Sequence, residues 1–273
     1  FFSAGIDISS VAVSMYSVAA SPLLVAIPLF TLAGYIFAHS KAPDRLVRLS
    51  SALFPGGLAV VALVACAVFT AFTGASGVTI VAMGGLLLPA LIKEGYDRKF
   101  SLGLVTASGS LGLLFPPSLP IIIYGYVAEV QIDKLFLAGI LPGILLLSLL
   151  AGYGYYKGKR FAIHTPAYSA AAVGSALRGA AWEIPLPIII LGGIYGGLFT
   201  VTEAAAITAL YALVVEVFVY RDIPVRKLPE IFSESVALVG GILVIIMCSF
   251  GFVNYLIDAE VPMHILEWMQ QYI

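Results

Sequence analysis

The chain has 273 residues, of which 61% are hydrophobic and only 11% are charged. Soluble domains carry about 25% charged residues, so this composition excludes an ordinary soluble domain and predicts an all-α polytopic membrane protein. The net charge of −1 and the lack of a basic cluster give no indication of a nucleic-acid partner, which leaves the lipid bilayer as the expected surroundings. Cys66 and Cys248 lie in apolar runs and are expected to be buried free thiols.

Uncharged runs alternate with short charged segments along the chain. A membrane-spanning helix needs about 20 apolar residues, and most of these runs reach that length. The runs are 8–40, 54–92, 100–128, 135–156, 184–202, 204–215 and 235–257. Lys and Arg are in excess in the segments 41–48, 93–99, 157–160 and 221–227. Because short basic loops stay on the cytoplasmic side, these segments are predicted to be cytoplasmic.

The stretch between the first two basic segments cannot be a single span, because both of its flanks are predicted to be cytoplasmic. Residues 57–92 number about 36, whereas two full spans and a turn need about 40 or more. The stretch is therefore predicted to be a re-entrant helical hairpin. Its arms are placed at 57–73 and 78–92, and its tip at "TGASG", residues 73–77.

The run 100–128 contains "FPPSLP" at residues 115–120. Pro116, Pro117 and Pro120 remove backbone donors and clash with the preceding turn, which predicts a broken transmembrane helix. Non-helical backbone at membrane depth is tolerated only where it is buried in protein or lines a cavity. The hairpin tip and this break are therefore both expected inside the protein.

The remaining runs complete the predicted crossings. The spans are 18–39, 135–156 and 203–220 inward and 184–200 and 236–257 outward, with an interfacial or cytoplasmic helix at 161–180. The chain then divides into scaffold helices of a first repeat (1–56), a transport-domain part with the hairpin and the broken helix (57–134), a connecting span with the interfacial helix (135–183), and the first part of a second repeat (184–273).

Residues 15–49 resemble residues 232–269. In each, an apolar run leads to a Gly-Tyr or Asn-Tyr pair, then to a proline (Pro43 or Pro262) and a short amphipathic segment. The predicted crossings run in opposite directions, which is the pattern of an inverted-repeat transporter. Because the second copy ends at Ile273 and the chain does not begin with Met, we expect a fragment of a longer protein with a second hairpin and a second broken helix.

Two polar, flexible clusters are expected at membrane depth, one at the hairpin tip and one around the helix break. Broken helix ends expose free carbonyls and N–H groups, which together with hydroxyls suit a hard cation and an anionic group. The alternative is that these small residues only permit close helix packing. The candidate ion- and substrate-binding residues are Thr73, Gly74, Ser76, Gly77, Thr106, Ser108, Gly109, Ser110, Pro116, Pro117 and Ser118.

Glu203 in "FTVTEAAA" is a further possible ion site, because acidic residues in membrane segments often carry protons or cations. It could equally cap the helix that begins there, with Thr202 as the N-cap. No catalytic constellation and no phosphate-binding loop followed by Lys is present, so neither an enzyme nor an ATP-driven pump is expected. A channel is disfavoured because the spans 135–156 and 236–257 carry no polar stripe.

Three segments carry a family resemblance: "AIPLFTLAGYIF" (26–37), "GYDRKFSLGLVTASGSLGLLFPPSLPIIIYG" (95–125) and "GGIYGGLFTVTEAAAITALYALVV" (192–215). They resemble the large membrane (permease) subunit of tripartite ATP-independent periplasmic (TRAP) transporters. The Pro-Pro-Ser break and the Thr-x-Thr-Glu-Ala-Ala-Ala motif are specific in combination, and the resemblance extends over residues 10–269.

The resemblance implies an elevator-type secondary transporter of the bacterial or archaeal cell membrane, coupled to Na⁺ and without another cofactor. It implies two partners, a small membrane subunit and a periplasmic protein that binds and delivers the substrate. Substrates of the family are mostly organic acids, such as C4-dicarboxylates and sialic acids. Ser76 and its neighbours would form one half of a Na⁺ site, and Ser108, Ser110 and residues 115–118 the other. A single-component carboxylate/Na⁺ symporter with inverted repeats is the alternative.

Overall fold

The computed structural model describes residues 20–54, 57–74, 76–160 and 169–270, together with Val13 and Tyr16. The described residues form helices and no strand. The α-helices are α1 (Ala26–Ala38), α2 (Ala42–Leu53), α3 (Leu58–Thr73), α4 (Ser76–Lys93), α5 (Arg98–Leu111), α6 (Leu119–Val127), α7 (Ile132–Arg160), α8 (Ala170–Gly179), α9 (Pro185–Tyr195), α10 (Val201–Val214), α11 (Leu228–Asp258) and α12 (Val261–Gln270). A π-helical turn, Val215–Val219, follows α10, and 3₁₀ turns cover Pro22–Val25, Gly112–Leu114 and Val225–Lys227.

Four helices within the described ranges are long and apolar enough to cross a bilayer. They are Ser76–Lys93, Ile132–Lys159, Val201–Val219 and Val225–Asp258. The pair Arg98–Leu114 and Leu119–Val127, bent by 46°, would be a fifth if it is counted as one span. The prediction of an all-α polytopic membrane protein is therefore confirmed.

Several predicted boundaries need correction. The outward span expected at 184–200 is helical only over the 11 residues of α9. That helix is about 16 Å long, roughly half of the hydrocarbon thickness, because Gly196 and Gly197 (φ +68°) end it. The span expected at 135–156 is longer, with 29 residues in α7. Of the predicted interfacial helix 161–180, residues 161–168 lie outside the described residues, and the rest contains α8.

Helix α1 is the centre of the packing. It carries apolar residues on all sides, as expected for a helix that is surrounded by protein, and Ile27, Phe30 and Ile36 are fully buried. It contacts α10, α11 and the hairpin arm α3. Of the two cysteines, Cys66 is buried as expected, whereas Cys248 is exposed on α11, so that part of the prediction is wrong.

Helices α3 and α4 form the predicted hairpin. The hydroxyls of Thr70 and Thr79 lie 2.8 Å apart, although nine residues of continuous helix would separate them by about 13 Å. The chain therefore turns back between them, at Gly74, whose φ of +64° is the left-handed conformation that favours glycine. The hairpin packs on α1 through Gly34, where a Cβ atom would lie 2.5 Å from the Cα atom of Thr73.

The predicted break in the next helix is also present. Helix α5 ends at Leu111, and after a 3₁₀ turn the chain is extended at Phe115 and Ser118 before α6 begins. Helix α7 packs against this break through Gly139, where a Cβ atom would lie 2.5 Å from the carbonyl oxygen of Leu114. Small residues allow such close backbone approach inside membranes.

The two segments that resemble each other in sequence have similar local structures. In both, a long apolar helix (α1 or α11) is followed within a few residues by a short helix (α2 or α12). The cap amide of His39 donates to the carbonyls of Phe37 and Tyr35, and the cap amide of Ala259 donates to those of Ile257 and Tyr255. The unit of a long apolar helix followed by a short helix therefore occurs twice in the structure. Its inverted orientation across a membrane stays a prediction.

Arg45, which the sequence places in a basic cytoplasmic segment, is largely withdrawn from solvent, with 13% of its side chain exposed. Its guanidinium donates hydrogen bonds to Glu183, Glu216 and Asp222, with an Nη2–Oε2 distance of 2.8 Å to Glu216. Burial alone would lower the pKa of Arg45, but the three carboxylates raise it above its usual value. We call these four residues the Arg45 cluster.

We expect Gly34→Ala to lower the free energy of unfolding by about 1–3 kcal/mol, because the added Cβ atom overlaps the backbone of Thr73. Denaturant titration in detergent micelles measures the change. Gly85→Ala is the matched control: its Cβ atom meets nothing within 4 Å, and the substitution should be neutral or stabilise the helix by about 0.5–1 kcal/mol. Equal effects of the two variants would contradict the close contact between α1 and the hairpin.

Candidate functional site

The hairpin tip meets the helix break, as the family resemblance implies. A Cβ atom on Gly74 would lie 2.8 Å from Cγ and 3.4 Å from the backbone nitrogen of Leu119, the first residue of α6. The left-handed turn of the hairpin and the start of the second half-helix therefore touch. Two interrupted helical segments thus face each other inside the protein.

Three buried threonines join the arms of the hairpin. The Thr70 hydroxyl lies 2.8 Å from the Cys66 carbonyl oxygen and 2.8 Å from the Thr79 hydroxyl, and Thr73 and Thr79 are 3.2 Å apart. Thr70 also lies 3.1 Å from the carbonyl oxygen of Gly109 on α5. One hydroxyl carries one proton, so Thr70 donates to one of these three acceptors at a time, the Cys66 carbonyl, the Thr79 hydroxyl or the Gly109 carbonyl.

Ser108 and Gly109 lie on the face of α5 that packs against the hairpin. A Cβ atom on Gly109 would be 2.6 Å from the Ile80 side chain and 3.3 Å from the Ser76 carbonyl oxygen. The Ser108 side chain is buried and donates to the Leu104 carbonyl of its own helix. Gly109 is therefore brought to the tip, and Ser108 is buried beside it on the same helix.

Ser118 occupies the N-cap position of α6, and its hydroxyl is the most informative group of the site. The side chain is fully buried, yet its Oγ has no hydrogen-bond partner among the described residues and does not cap its own helix. The first N–H paired within α6 is that of Ile122, which donates to the Ser118 carbonyl. The earlier N–H groups at the positive end of this half-helix have no intrahelical acceptor.

Other predicted residues lie differently. Thr106 and Ser110 are on the exposed face of α5 and donate to the carbonyls of Leu102 and Thr106. Gly77 is exposed, and Ser76 is half-buried. Pro116 and Pro117, joined by a cis peptide bond, are buried and line an apolar cavity of about 380 Å³ between α3, α7 and α9.

Glu203 serves as a helix cap. Its carboxylate accepts from the backbone N–H (2.7 Å) and the hydroxyl (2.9 Å) of Thr200, and the Glu203 N–H donates back to that hydroxyl. This is a capping box, and its N-cap is Thr200 rather than the expected Thr202. Thr202 is not the N-cap because α10 starts one residue earlier, at Val201, which puts Glu203 at the third helical position.

The prediction of site residues omitted Thr70 and Thr79. Their signal in the sequence is three threonines in an otherwise apolar stretch around a glycine-containing turn, with Thr70 and Thr73 one helical turn apart. The groups that the site offers to a ligand are hydroxyl and carbonyl oxygen atoms beside a half-helix N-terminus. Within the described ranges, no group of His, Cys, Asp and Glu residues is arranged to hold a metal ion.

Comparison with known proteins gives a consistent match. The family model "Tripartite ATP-independent periplasmic transporter, DctM component" matches residues 1–273. The chain is 33% identical to the C4-dicarboxylate TRAP transporter large permease protein DctM of Rhodobacter capsulatus, over 97% of this chain and 64% of that protein. It is 38% identical to the ectoine/5-hydroxyectoine TRAP transporter large permease protein UehC of Ruegeria pomeroyi, over 89% of this chain and 58% of that protein.

A third relative is the isethionate TRAP transporter permease protein DctMQ of Oleidesulfovibrio alaskensis, 34% identical over 90% of this chain and 40% of that protein. The chain therefore spans less than two thirds of the length of these curated relatives.

Thr70→Val keeps the side-chain volume but removes the hydroxyl that links α3, α4 and α5. We expect it to lower the free energy of unfolding by about 1–3 kcal/mol, because buried polar groups on Thr79 and Gly109 lose a partner. Thr106→Val is the control, because that hydroxyl lies on the exposed face and bonds to its own helix. Denaturant titration of both variants in micelles tests the difference, and an equal loss would argue against the role of Thr70.

Proposed function

The chain belongs to the DctM family of tripartite ATP-independent periplasmic transporters, and on that premise we propose that it is part of the membrane subunit of a Na⁺-coupled importer of organic acids. A periplasmic binding protein delivers the substrate, and a small membrane subunit enlarges the scaffold. The family is one of transporters and not of enzymes. The alternative is a single-component carboxylate/Na⁺ symporter, which needs no binding protein.

The observation that carries the proposal is the unpaired, buried hydroxyl of Ser118 at the N-terminus of α6. A buried hydroxyl without a partner costs free energy, so its retention is explained best by a ligand that supplies the missing bond. The half-helix N-terminus beside it favours negative charge. A carboxylate of the substrate satisfies both groups at once.

The hairpin tip and the end of α5 offer oxygen atoms that suit Na⁺. Helix α3 ends before Gly74 and α5 ends before the break, and the last carbonyl groups of a helix lack intrahelical donors. Unwound backbone and C-terminal half-helix ends are the parts that coordinate Na⁺ in transporters of this construction. The threonine hydroxyls between the arms add neutral oxygen atoms at short range.

An elevator mechanism requires the site to move as a unit past the surrounding helices. The hydrogen bonds of Thr70 join α3, α4 and α5. We call these three helices and α6 the hairpin module. A cavity of about 510 Å³ is lined by residues of α4, α1 and α11, among them Tyr35, His39, Val81 and Glu234. The cavity of about 380 Å³ beside Pro116 separates α3 from α9. These two gaps favour motion between the module and its surroundings.

The substrate class follows from the preference of the half-helix N-terminus for a negatively charged group. The names of the relatives cite C4-dicarboxylates, ectoine and isethionate, so membership of the family does not select one compound. We propose an organic acid with at least one carboxylate, either a dicarboxylate or a sialic-acid-like compound. The binding protein then selects the individual compound.

Uptake into proteoliposomes tests coupling. The full-length protein, its small subunit and its binding protein would be reconstituted together and supplied with a radiolabelled C4-dicarboxylate, with sialic acid as the second compound. We expect uptake that depends on an inward Na⁺ gradient and on the binding protein. Uptake that is indifferent to Na⁺ would refute coupling, and uptake without the binding protein would favour the single-component symporter.

Ser118→Ala should separate binding from stability, because the two effects have opposite signs. Loss of an unpaired buried hydroxyl should leave the free energy of unfolding unchanged or raise it by about 1 kcal/mol. The substrate concentration for half-maximal uptake should rise about tenfold, as expected when a hydrogen bond to a charged group is lost. Ser249→Ala on α11, whose exposed hydroxyl donates to the Ile245 carbonyl of its own helix, is the control. Unchanged substrate dependence in Ser118→Ala would contradict the site.

A further inference from the structure

Helix α2 is the covalent link between α1, at the centre of the protein, and the first arm of the hairpin. It is a short amphipathic helix whose buried side, with Leu46 and Ser50, faces the protein. It packs along α3 on one side and along α8 on another. If the hairpin module moves, α2 must either travel with it or stay with the helices outside the module.

The Arg45 cluster connects α2 to elements outside the hairpin module. Glu183 lies just before α9, Glu216 lies in the π-helical turn after α10, and Asp222 follows that turn. The ring of Tyr220 stacks on the Arg45 guanidinium at 3.9 Å, and its hydroxyl donates to Glu183 (3.0 Å). At the start of α2, the Lys41 backbone N–H donates to Asp222 at 3.1 Å.

The backbone around the cluster is specifically shaped for these contacts. The π-helical turn shifts the register at Glu216, which is fully buried, and such turns are frequent at functional sites. Arg221 has a φ of +57°, an uncommon conformation for a residue with a side chain. The amides of Asp222 and Ile223 then both donate to the Glu216 carbonyl. The turn thereby directs Glu216 and Asp222 at the same guanidinium.

The other end of α2 is built differently. Leu53 and Phe54 are each 43% exposed. Gly57, immediately before α3, has φ +89° and ψ 160°. Only glycine adopts this region readily, so the backbone at Gly57 can change conformation at low cost. The Arg45 cluster therefore attaches the first half of α2 to its neighbours. The glycine whose backbone can change conformation, Gly57, lies between α2 and α3.

We infer that Arg45 is a positioning residue that pins α2 to the α9–α10 framework, so that the hairpin module moves by bending of the chain at Gly57. The inference rests on the proposed elevator mechanism and adds the location of its pivot. A guanidinium that serves three carboxylates is suited to this role, because its planar fork fixes direction as well as charge.

The first test compares Arg45→Ala with Arg48→Ala in the reconstituted full-length system. Arg48 lies one turn further along α2 and is exposed. For Arg45→Ala we expect the maximal uptake rate to fall about tenfold or more while the substrate concentration for half-maximal uptake changes less than about twofold. Arg45→Lys, which keeps the charge but loses the fork, should lie between. Arg48→Ala should transport normally; an equal loss in both arginine variants would overturn the inference.

A cross-link distinguishes pinning from general damage to the fold. Lys41→Cys and Asp222→Cys would be introduced with Arg45→Ala in a Cys248→Ser background and joined by a short thiol-specific cross-linker. The hydrogen bond between positions 41 and 222 shows that they are close enough. Cross-linking should restore most of the lost uptake, because it attaches α2 again without Arg45. A cross-link that forms completely and restores nothing would overturn the inference.

A distance measurement tests the role of Arg45 without any transported substrate. Spin labels at Val81 on α4 and Val236 on α11, both exposed, report the position of the hairpin relative to its surroundings. Arg45→Ala should broaden the distribution of distances, and the cross-link should narrow it again. An unchanged distribution overturns the inference. If the unaltered protein transports nothing, the proposed function fails, while these distances still test Arg45.

Discussion

The hydrogen bonds of the Thr70 hydroxyl are the interaction on which the rest of the site depends. A chain that reverses at Gly74 and breaks before Ser118 loses helical backbone bonds, and a bilayer supplies no water to replace them. Thr70 contacts its own helix, the opposite arm through Thr79, and α5 through the Gly109 carbonyl. These contacts hold the hairpin and the broken helix in one arrangement, which brings the tip to the start of α6.

The helices around the hairpin and the broken helix pack closely against them through their backbones. Gly34 lets α1 approach the end of α3, and Gly139 lets α7 approach the break at Leu114. In lipid, such approach through small residues replaces the hydrophobic drive that packs soluble helices. Among the residues that the structure describes, the buried Ser118 hydroxyl in this region has no hydrogen-bond partner. Under the proposed function, that hydroxyl is a contact for the ligand.

The contacts of the charged residues could not be predicted from their positions along the chain. The excess of Lys and Arg at 41–48 indicates a cytoplasmic segment, and that rule concerns insertion into the membrane. In the folded chain, Arg45 belongs to a buried cluster with carboxylates 138 to 177 residues away. Glu203 is the converse case, an acidic residue at the end of a membrane segment whose carboxylate is engaged by the helix cap.

By itself the sequence determined the protein class, the hairpin, the break at Pro116–Pro117 and most of the helices, because hydropathy, proline chemistry and glycine turns act over a few neighbouring residues. Its motifs also indicated the family. Only the tertiary structure decided which polar residues meet. It joined Thr70 to Thr79 and Gly109, left Ser118 unpaired, turned Thr106 and Ser110 outward, exposed Cys248 and buried Arg45. These outcomes depend on the packing of helices that are far apart in the chain, and local sequence rules do not specify that packing.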